Sequence, residues 1–466
     1  MLNRCYLGLL VIILVVFNDC SALNCTLSPN IKKEIDNYKS TVEKIISYVI
    51  SGPAKGQTYN HLAKFIDKFG NRIAGSENLE NAIDYMVSTL RSLNLNVRTE
   101  PVQVPHWVRG DEYAQLIQPR RKNLAILGLG GSIGTGENGI TAEVIAVKSF
   151  SELKSKADQV KGKIVVYNQD FVSYSKSVQY RDYGAKWAAK FGGVASLIRS
   201  ITPFSIYSPH TGWQDYSNNV TKIPTACITI EDAEMIHRMI KRGTKVVIHL
   251  KMSAKNLPPV QSRNTIIEMK GQVLPQQIVL VSGHLDSWDV GEGAMDDGAG
   301  AFISWRALDI LTQLNLKPRR TLRAVLWTGE EEGLFGAITH LNNNKNNLKN
   351  FSVVMESDIG TFKPLGLTYS GNNTVAQCIM QEILKLMSPI NATQLDLMNE
   401  GSDTTVFMNA GIPGISLVNA NEKYFYFHHS NGDTMTVENP ESLDLCTALW
   451  TASSFVLADI QEMLPR

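Results

Sequence analysis

Between residues 30 and 51, Ile31, Ile35, Tyr38, Val42, Ile45, Ile46 and Val49 recur at three- and four-residue steps, with Lys and Glu on the opposite face. That spacing predicts an amphipathic helix over 30–51. A second helix is expected over 79–93, after the Gly75-Ser76 turn, and the apolar–polar alternation of 94–104 predicts a strand. From about residue 115 the apolar runs shorten. Pieces at 124–127, 140–147, 163–167, 194–198, 227–230 and 245–250 are parted by glycine-rich or polar turns. They predict a compact β-rich or α+β module that ends near the Pro258-Pro259 break.

After residue 264 the texture changes again. The continuous apolar run 278–282 reads as a buried parallel strand, and further strands are expected over 321–327, 352–355 and 414–418. Helical patterns over 298–314 and 442–460 accompany them. Such alternation predicts an α/β fold, a mainly parallel mixed sheet with helices on both faces. The chain thus divides into a body, 41–114 and 256–466, and an inserted module, 115–255.

The first 22 residues stand apart: Arg4, an apolar run over 7–17, then Cys20-Ser21-Ala22. This is the pattern of a secretory signal peptide cleaved after Ala22, the apolar run being too short for a ~30 Å hydrocarbon core. Residues 23–40 have two readings, a propeptide or a first helix packed on the core. Five N-x-S/T sequons (Asn24, Asn219, Asn350, Asn372 and Asn391) are glycosylation candidates in an exported chain. Cys25, Cys227, Cys378 and Cys446 remain beyond the signal, without a C-x-x-C pair, so they do not read as a zinc knuckle or redox motif. The 45 Lys and Arg balance 44 Asp and Glu. A near-neutral chain gives no electrostatic footprint for nucleic acid, and no membrane association is expected after signal cleavage. Gly134, Gly136 and Gly139 match G-x-G-x-x-G, but the strand-like run follows them instead of preceding them, so a loop is expected there.

Candidate chemistry gathers where the predicted strands end, which is where ligands bind in an open α/β sheet. The run at 278 leads into His284 and Asp286, the strand at 321 is followed by Glu330-Glu331-Glu332, and the strand at 352 by Asp358. Asp296-Asp297 lies in the loop before a helix, and His428-His429 in a late aromatic loop. Each piece has an ordinary reading: a hydrogen-bonded core histidine, a solvated helix start, a turn, an N-cap. Together they place imidazoles and carboxylates, without thiolates, on one sheet edge. That is a ligand set for zinc or a related divalent ion, whose charge would relieve the repulsion among the carboxylates.

The motifs Ser282-Gly-His284-Leu-Asp286, Met295-Asp296-Asp297-Gly, Gly329-Glu330-Glu331-Glu332-Gly333, Met355-Glu-Ser-Asp358 and Phe427-His428-His429-Ser-Asn-Gly-Asp433 occur in this order. The series resembles the co-catalytic two-zinc exopeptidase family of bacterial leucyl aminopeptidases and glutamate carboxypeptidases, over nearly the whole mature chain. The resemblance implies two Zn2+, with Asp296 bridging, His284 and Asp358 on one ion, and Glu331 and His429 on the other. It makes Glu330 the general base and Asp286 the residue that orients His284 through a hydrogen bond. It also implies a cis peptide between Asp296 and Asp297. Relatives show two glutamates where this chain has three, and Gly333-Leu334 supports Glu330 as base and Glu331 as ligand. The spacing to Asp433 favours His429 over His428.

The implied reaction is hydrolysis of dipeptides or short peptides with free termini, by a zinc-bridged water with Glu330 as general base. Ser402, Asp403 and His428 are candidate substrate-binding residues, and 424–427 a candidate aromatic pocket run. The insert resembles a protease-associated domain, and the family implies a homodimer in the extracellular space or secretory-pathway lumen, including the lysosome. Two other functions fit the same fold: a single-zinc, glutaminyl-cyclase-like transferase, and a non-catalytic binding protein. Retention of all five ligand positions speaks against the latter.

Overall fold

The computed structural model describes residues 25–398 and 401–466; the expected signal peptide and the Asn24 sequon lie outside the described residues. The body is built on a six-stranded sheet: β1 (Asn96–Val108), β2 (Lys255–Met269), β3 (Leu274–His284), β4 (Arg320–Trp327), β5 (Phe351–Glu356) and β6 (Gly414–Ile415). Their spatial order is β1-β2-β4-β3-β5-β6. The half containing β4, β3, β5 and β6 is parallel, while β1 and β2 extend it antiparallel. The chain leaves β3 for β4 on one side and then crosses to β5 on the other. The carboxyl end of β3 is therefore a topological switch point, the place where such sheets hold ligands.

Alternate residues of the central strands feed two cores. Val279, Val281, Leu322, Ala324, Leu326, Val353 and Met355 face the larger one. There helices Ala299–Gln313 and Pro440–Asp459 pack together, with Lys39–Ile50 and Gln57–Phe69 outside them. Leu280, Val325, Trp327 and Val354 face the smaller core beneath helices Phe335–Asn344 and Thr404–Met408. Both faces being covered explains why these strands read as continuous apolar runs.

Several boundaries differ from the sequence reading. The single helix expected over 30–51 is two, Pro29–Asp36 and Lys39–Ile50. The turn between them lets the Tyr38 hydroxyl donate to Asp459 at 3.0 Å. Cys25 and Cys378 form a disulfide, which ties this N-terminal segment to helix Thr374–Lys385, while Cys227 and Cys446 are buried thiols. Pro258-Pro259 does not end an element but lies within β2. That half of the strand pairs only with β1, and the register shifts opposite the prolines, so no ladder donor is missed. The strand expected over 414–418 is divided: β6 joins the main sheet, and Leu417–Asn419 joins a small sheet with Pro364–Tyr369 and Gln394–Leu397.

Residues 112–252 supply a separate eight-stranded sheet, with an apolar core on each face. Helices Gln179–Lys190 and Ile230–Lys241 belong to it. The glycine triplet at 134–139 forms a loop leading into the strand Ile140–Val147. Among the described residues no helix is long and apolar enough to cross a membrane. Asn219, Asn372 and Asn391 are exposed, and Asn350 is half-buried.

Candidate metal centre and active site

His284 is the last residue of β3, and the parallel neighbours β4 and β5 deliver Glu330-Glu331 and Asp358 beside it. The loop after β3 folds back over the strand end as a turn, Ala294–Gly298, before helix Ala299–Gln313 begins. This return is possible because Gly283 and Gly300 let the backbones meet. A Cβ on Gly300 would collide with the Ser357 carbonyl, and one on Gly283 with the backbone of Ala301. Asp297 fastens the crossing, accepting from the amides of His284 at 3.0 Å and Gly300 at 3.2 Å. The Asp296-Asp297 peptide is cis.

Asp296 thereby comes to the middle of the cluster. Its Oδ1 lies 3.3 Å from His284 Nε2, which is also 3.4 Å from Asp358 Oδ1. Its Oδ2 faces the other way, 3.4 Å from His429 Nε2, which in turn lies 3.0 Å from Glu331 Oε2. His428 Nε2 also reaches Asp296 Oδ2, at 3.7 Å, and its ring stacks on His429 with centroids 3.5 Å apart. Both histidines thus approach the centre, and the contact with Glu331 distinguishes His429. His429 itself has a left-handed φ of 58°.

The donor atoms have little else to do. His284 Nε2, Asp296 Oδ2, Glu331 Oε1 and Asp358 Oδ1 are buried without a hydrogen-bond partner, where each would cost free energy unless a cation used it. Burial, reinforced by neighbouring carboxylates, pushes the Asp296 and Glu331 carboxyls above their ordinary range. Burial pushes Glu330 up to about 8, with Asp358 adding to the shift and His284 opposing it. The His428 and His429 imidazoles are held well below their usual value by burial, which keeps them neutral and able to ligate. Oxygen and imidazole donors converging in this way fit zinc.

The Glu330 carboxylate accepts a hydrogen bond from the Ser402 hydroxyl and stands 3.9 Å from His284 Nε2. Asp286 meets the His284 ring through its backbone. The ring's Nδ1 donates to the Asp286 carbonyl oxygen at 2.9 Å, while the carboxylate lies 3.9 Å away. That carboxylate instead accepts from the amides of Glu330 and Glu331, both at 3.3 Å, so it positions the stretch carrying base and ligand. Ser402 and His428 line a cavity of about 680 Å³ over the centre, with Tyr424 and Phe425. Asp403 does not line it: it is fully buried behind the site, beside Glu356, because the turn that presents Ser402 directs the next side chain inward. Tyr426 and Phe427 face a separate hollow with Phe204 and Ile206.

The sequence reading assigned no role in the site to Asp433, Arg72, Thr211 or His210. Asp433 accepts from the amides of Met295 at 2.8 Å and Asp296 at 3.2 Å, and burial pushes its carboxyl up to about 7. Its position four residues after His429 was the only signal. Arg72, with no motif around it, is fully buried and braces the loop after β3. The insert closes the centre from above: Thr211 N donates to His429 O at 2.8 Å, and His210 Nδ1 to His428 O at 2.6 Å.

A switch-point cluster of this composition is matched by the family model described as Peptidase family M28, over residues 264–454. The chain belongs to peptidase family M28 and, within it, to the carboxypeptidase Q type. It is 57% identical to carboxypeptidase Q of Xenopus laevis, over 94% of this chain and 93% of that one. With carboxypeptidase Q of Homo sapiens it shares 53% identity over 94% and 92%. The crystal structure of a peptidase M28 precursor from Shewanella amazonensis SB2B superposes with a TM-score of 0.88 at 32% identity, covering 93% of this chain and 99% of that chain.

Proposed function

We propose that the chain is a secreted, zinc-dependent exopeptidase that hydrolyses dipeptides or short peptides with free termini and uses two zinc ions. The observation that carries this reading is the placement of Asp296, whose two carboxylate oxygens face two separate groups of donors. His284 and Asp358 would hold one ion with Asp296, and Glu331 and His429 the other. Bound there, the ions supply Lewis acidity, polarising the scissile carbonyl and lowering the pKa of water.

The chain's own groups do the rest. Glu330 takes a proton from water and returns it to the leaving amine, with the Ser402 hydroxyl fixing one of its oxygens. Asp286 and Asp433 hold the backbone on which base and ligands ride. The insert and the 424–429 loop wall the cavity, which limits bulk water and favours small substrates. Exposed sequons and a disulfide suit the lumen of the secretory pathway, the lysosome or the extracellular space.

The test compares the wild type with Glu330→Gln for zinc per chain and for dipeptide hydrolysis, with and without chelator. Two zincs in both proteins and a kcat lower by about 10²–10⁴ in the variant are expected. One zinc per chain in the wild type would favour the single-zinc transferase. Zinc lost with activity in Glu330→Gln would make Glu330 a ligand.

A further inference from the structure

The two imidazoles assigned to the metal centre are held in different ways. His284 closes β3, and its Nδ1 donates to Asp286 O at 2.9 Å, within the body. His429 stands in a loop with a left-handed φ of 58°, a backbone conformation uncommon for a residue that carries a Cβ. The insert holds that loop over the centre. Thr211 meets His429 at two points: its N–H donates to His429 O at 2.8 Å, and its O lies 3.2 Å from His429 Nδ1. His210 Nδ1 donates to His428 O at 2.6 Å, and the Thr202 hydroxyl lies 2.6 Å from Phe425 O. The loop carbonyls at 425, 428 and 429 thus all find donors in the insert. Rings reinforce the seam, Tyr174 stacking on Phe425 at 4.9 Å and Phe204 on Tyr426 at 4.7 Å.

The contact at Nδ1 also fixes which nitrogen is free for a metal. Nδ1 has two polar neighbours, Thr211 O and, at 3.3 Å, Arg181 Nη1. A guanidinium only donates, so a proton on Nδ1 goes to Thr211 O and leaves the Nε2 lone pair facing Glu331 and Asp296. With the proton on Nε2 instead, that nitrogen could not ligate. Metal-bound histidines are oriented through such a ring N–H to a carbonyl, and loss of these partners lowers metal affinity by roughly 10–100-fold. For His284 the carbonyl is in its own loop. For His429 it belongs to a module with its own sheet. Among the described residues the insert makes no hydrogen bond to His284 or Asp358.

We propose that the insert is the orienting half of one metal site, with His210 as a positioning residue, so that occupancy of the Glu331–His429 site depends on the insert and occupancy of the His284–Asp358 site does not. The inference rests on the two-ion reading above and adds that the two sites are not equivalent. The body alone builds one; body and insert together build the other. His210 acts through the backbone. By tying His428 O it keeps residues 428–429 alongside 210–211, and so keeps Thr211 O opposite the His429 ring.

The test titrates zinc into the metal-free wild type, His210→Leu and His210→Asn against a competing chelator. Asn places a side-chain N–H close to where the imidazole Nδ1–H stands, whereas Leu keeps bulk without a donor. His210→Leu is expected to weaken one of the two binding steps by about 10–100-fold and to spare the other. The weakened step should be the one that Glu331→Gln abolishes and Asp358→Asn spares. His210→Asn should restore most of the affinity, which a loss of packing alone would not allow. At limiting zinc, dipeptide hydrolysis by His210→Leu should show a lower kcat at unchanged KM. Both steps weakened alike, neither weakened, or weakening of the step lost in Asp358→Asn overturns the proposal. Should His210→Leu fail to fold, Thr202→Val, which removes only the hydroxyl at Phe425 O, is read in the same way. A wild type that binds a single zinc refutes the two-ion reading. The insert's role then stands if that ion is weakened in His210→Leu and restored in His210→Asn, and falls if it is unaffected.

Discussion

Replacing Arg72 by Met tests whether one buried cation braces the metal centre. Arg72 donates from Nε to Leu285 O at 2.7 Å, from Nη1 to Gly70 O at 2.6 Å and Glu292 O at 2.7 Å, and from Nη2 to Gly293 O at 2.8 Å. Three of these carbonyls belong to the loop that runs from His284 to Asp296. Met fills much of the same volume but leaves Gly70 O, Leu285 O and Glu292 O without this donor in a site that is 0% exposed, while Gly293 O keeps the Gly298 amide at 3.2 Å. Each unsatisfied carbonyl costs roughly 1–3 kcal/mol, whereas the cation no longer has to be desolvated. Burial lowers the Arg72 pKa to about 10 against the opposing pull of the Asp433, Asp286, Asp297 and Glu331 carboxylates, so that offset is real but partial. The net loss expected is about 3–5 kcal/mol, the range for truncating one partner of a buried charged network. Urea unfolding followed by tryptophan fluorescence, with and without zinc, reads it. Zinc affinity should fall as well, because the loop carrying Asp296 loses its brace. A variant within about 1 kcal/mol of wild type, with normal zinc affinity, would show that water or backbone rearrangement satisfies the carbonyls and that the bracing argument is wrong.

His210 is buried and neutral, its pKa lowered to about 4 by burial, partly offset by its hydrogen bond to His428 O. The unfolded chain takes up a proton near pH 6.5 that the folded chain refuses until about 4. Its stability contribution is therefore complete above pH 6.5 and is lost as pH falls toward 4, by up to about 3 kcal/mol. His210→Asn should lose less stability than wild type between pH 7 and 4.5, and equal losses would contradict the shift. Cys25–Cys378 closes a loop of sequence separation 353, so Cys378→Ser should cost on the order of 2–4 kcal/mol in thermal or urea unfolding. In the wild type a cut between the first two helices should release a fragment on electrophoresis only after reduction; release without reductant would show that the pair is not formed.

The sequence by itself determined the α/β body, the strand-end residues His284, Glu330, Glu331 and Asp358, and the loop position of Asp296. Hydrophobic periodicity encodes which face of an element is buried, and a parallel sheet turns strand ends into neighbours. Only the tertiary structure decided which polar atoms meet. The family resemblance implies that Asp286 orients His284, but only the return of the chain after β4 brings the Glu330 and Glu331 amides to its carboxylate. Arg72 sits 212 residues before His284 in the chain and lies in no pattern that periodicity or motif spacing reads. Its role follows from long-range packing, in which the partners are backbone carbonyls. Carbonyls are the same for every residue type, so no sequence signal marks them.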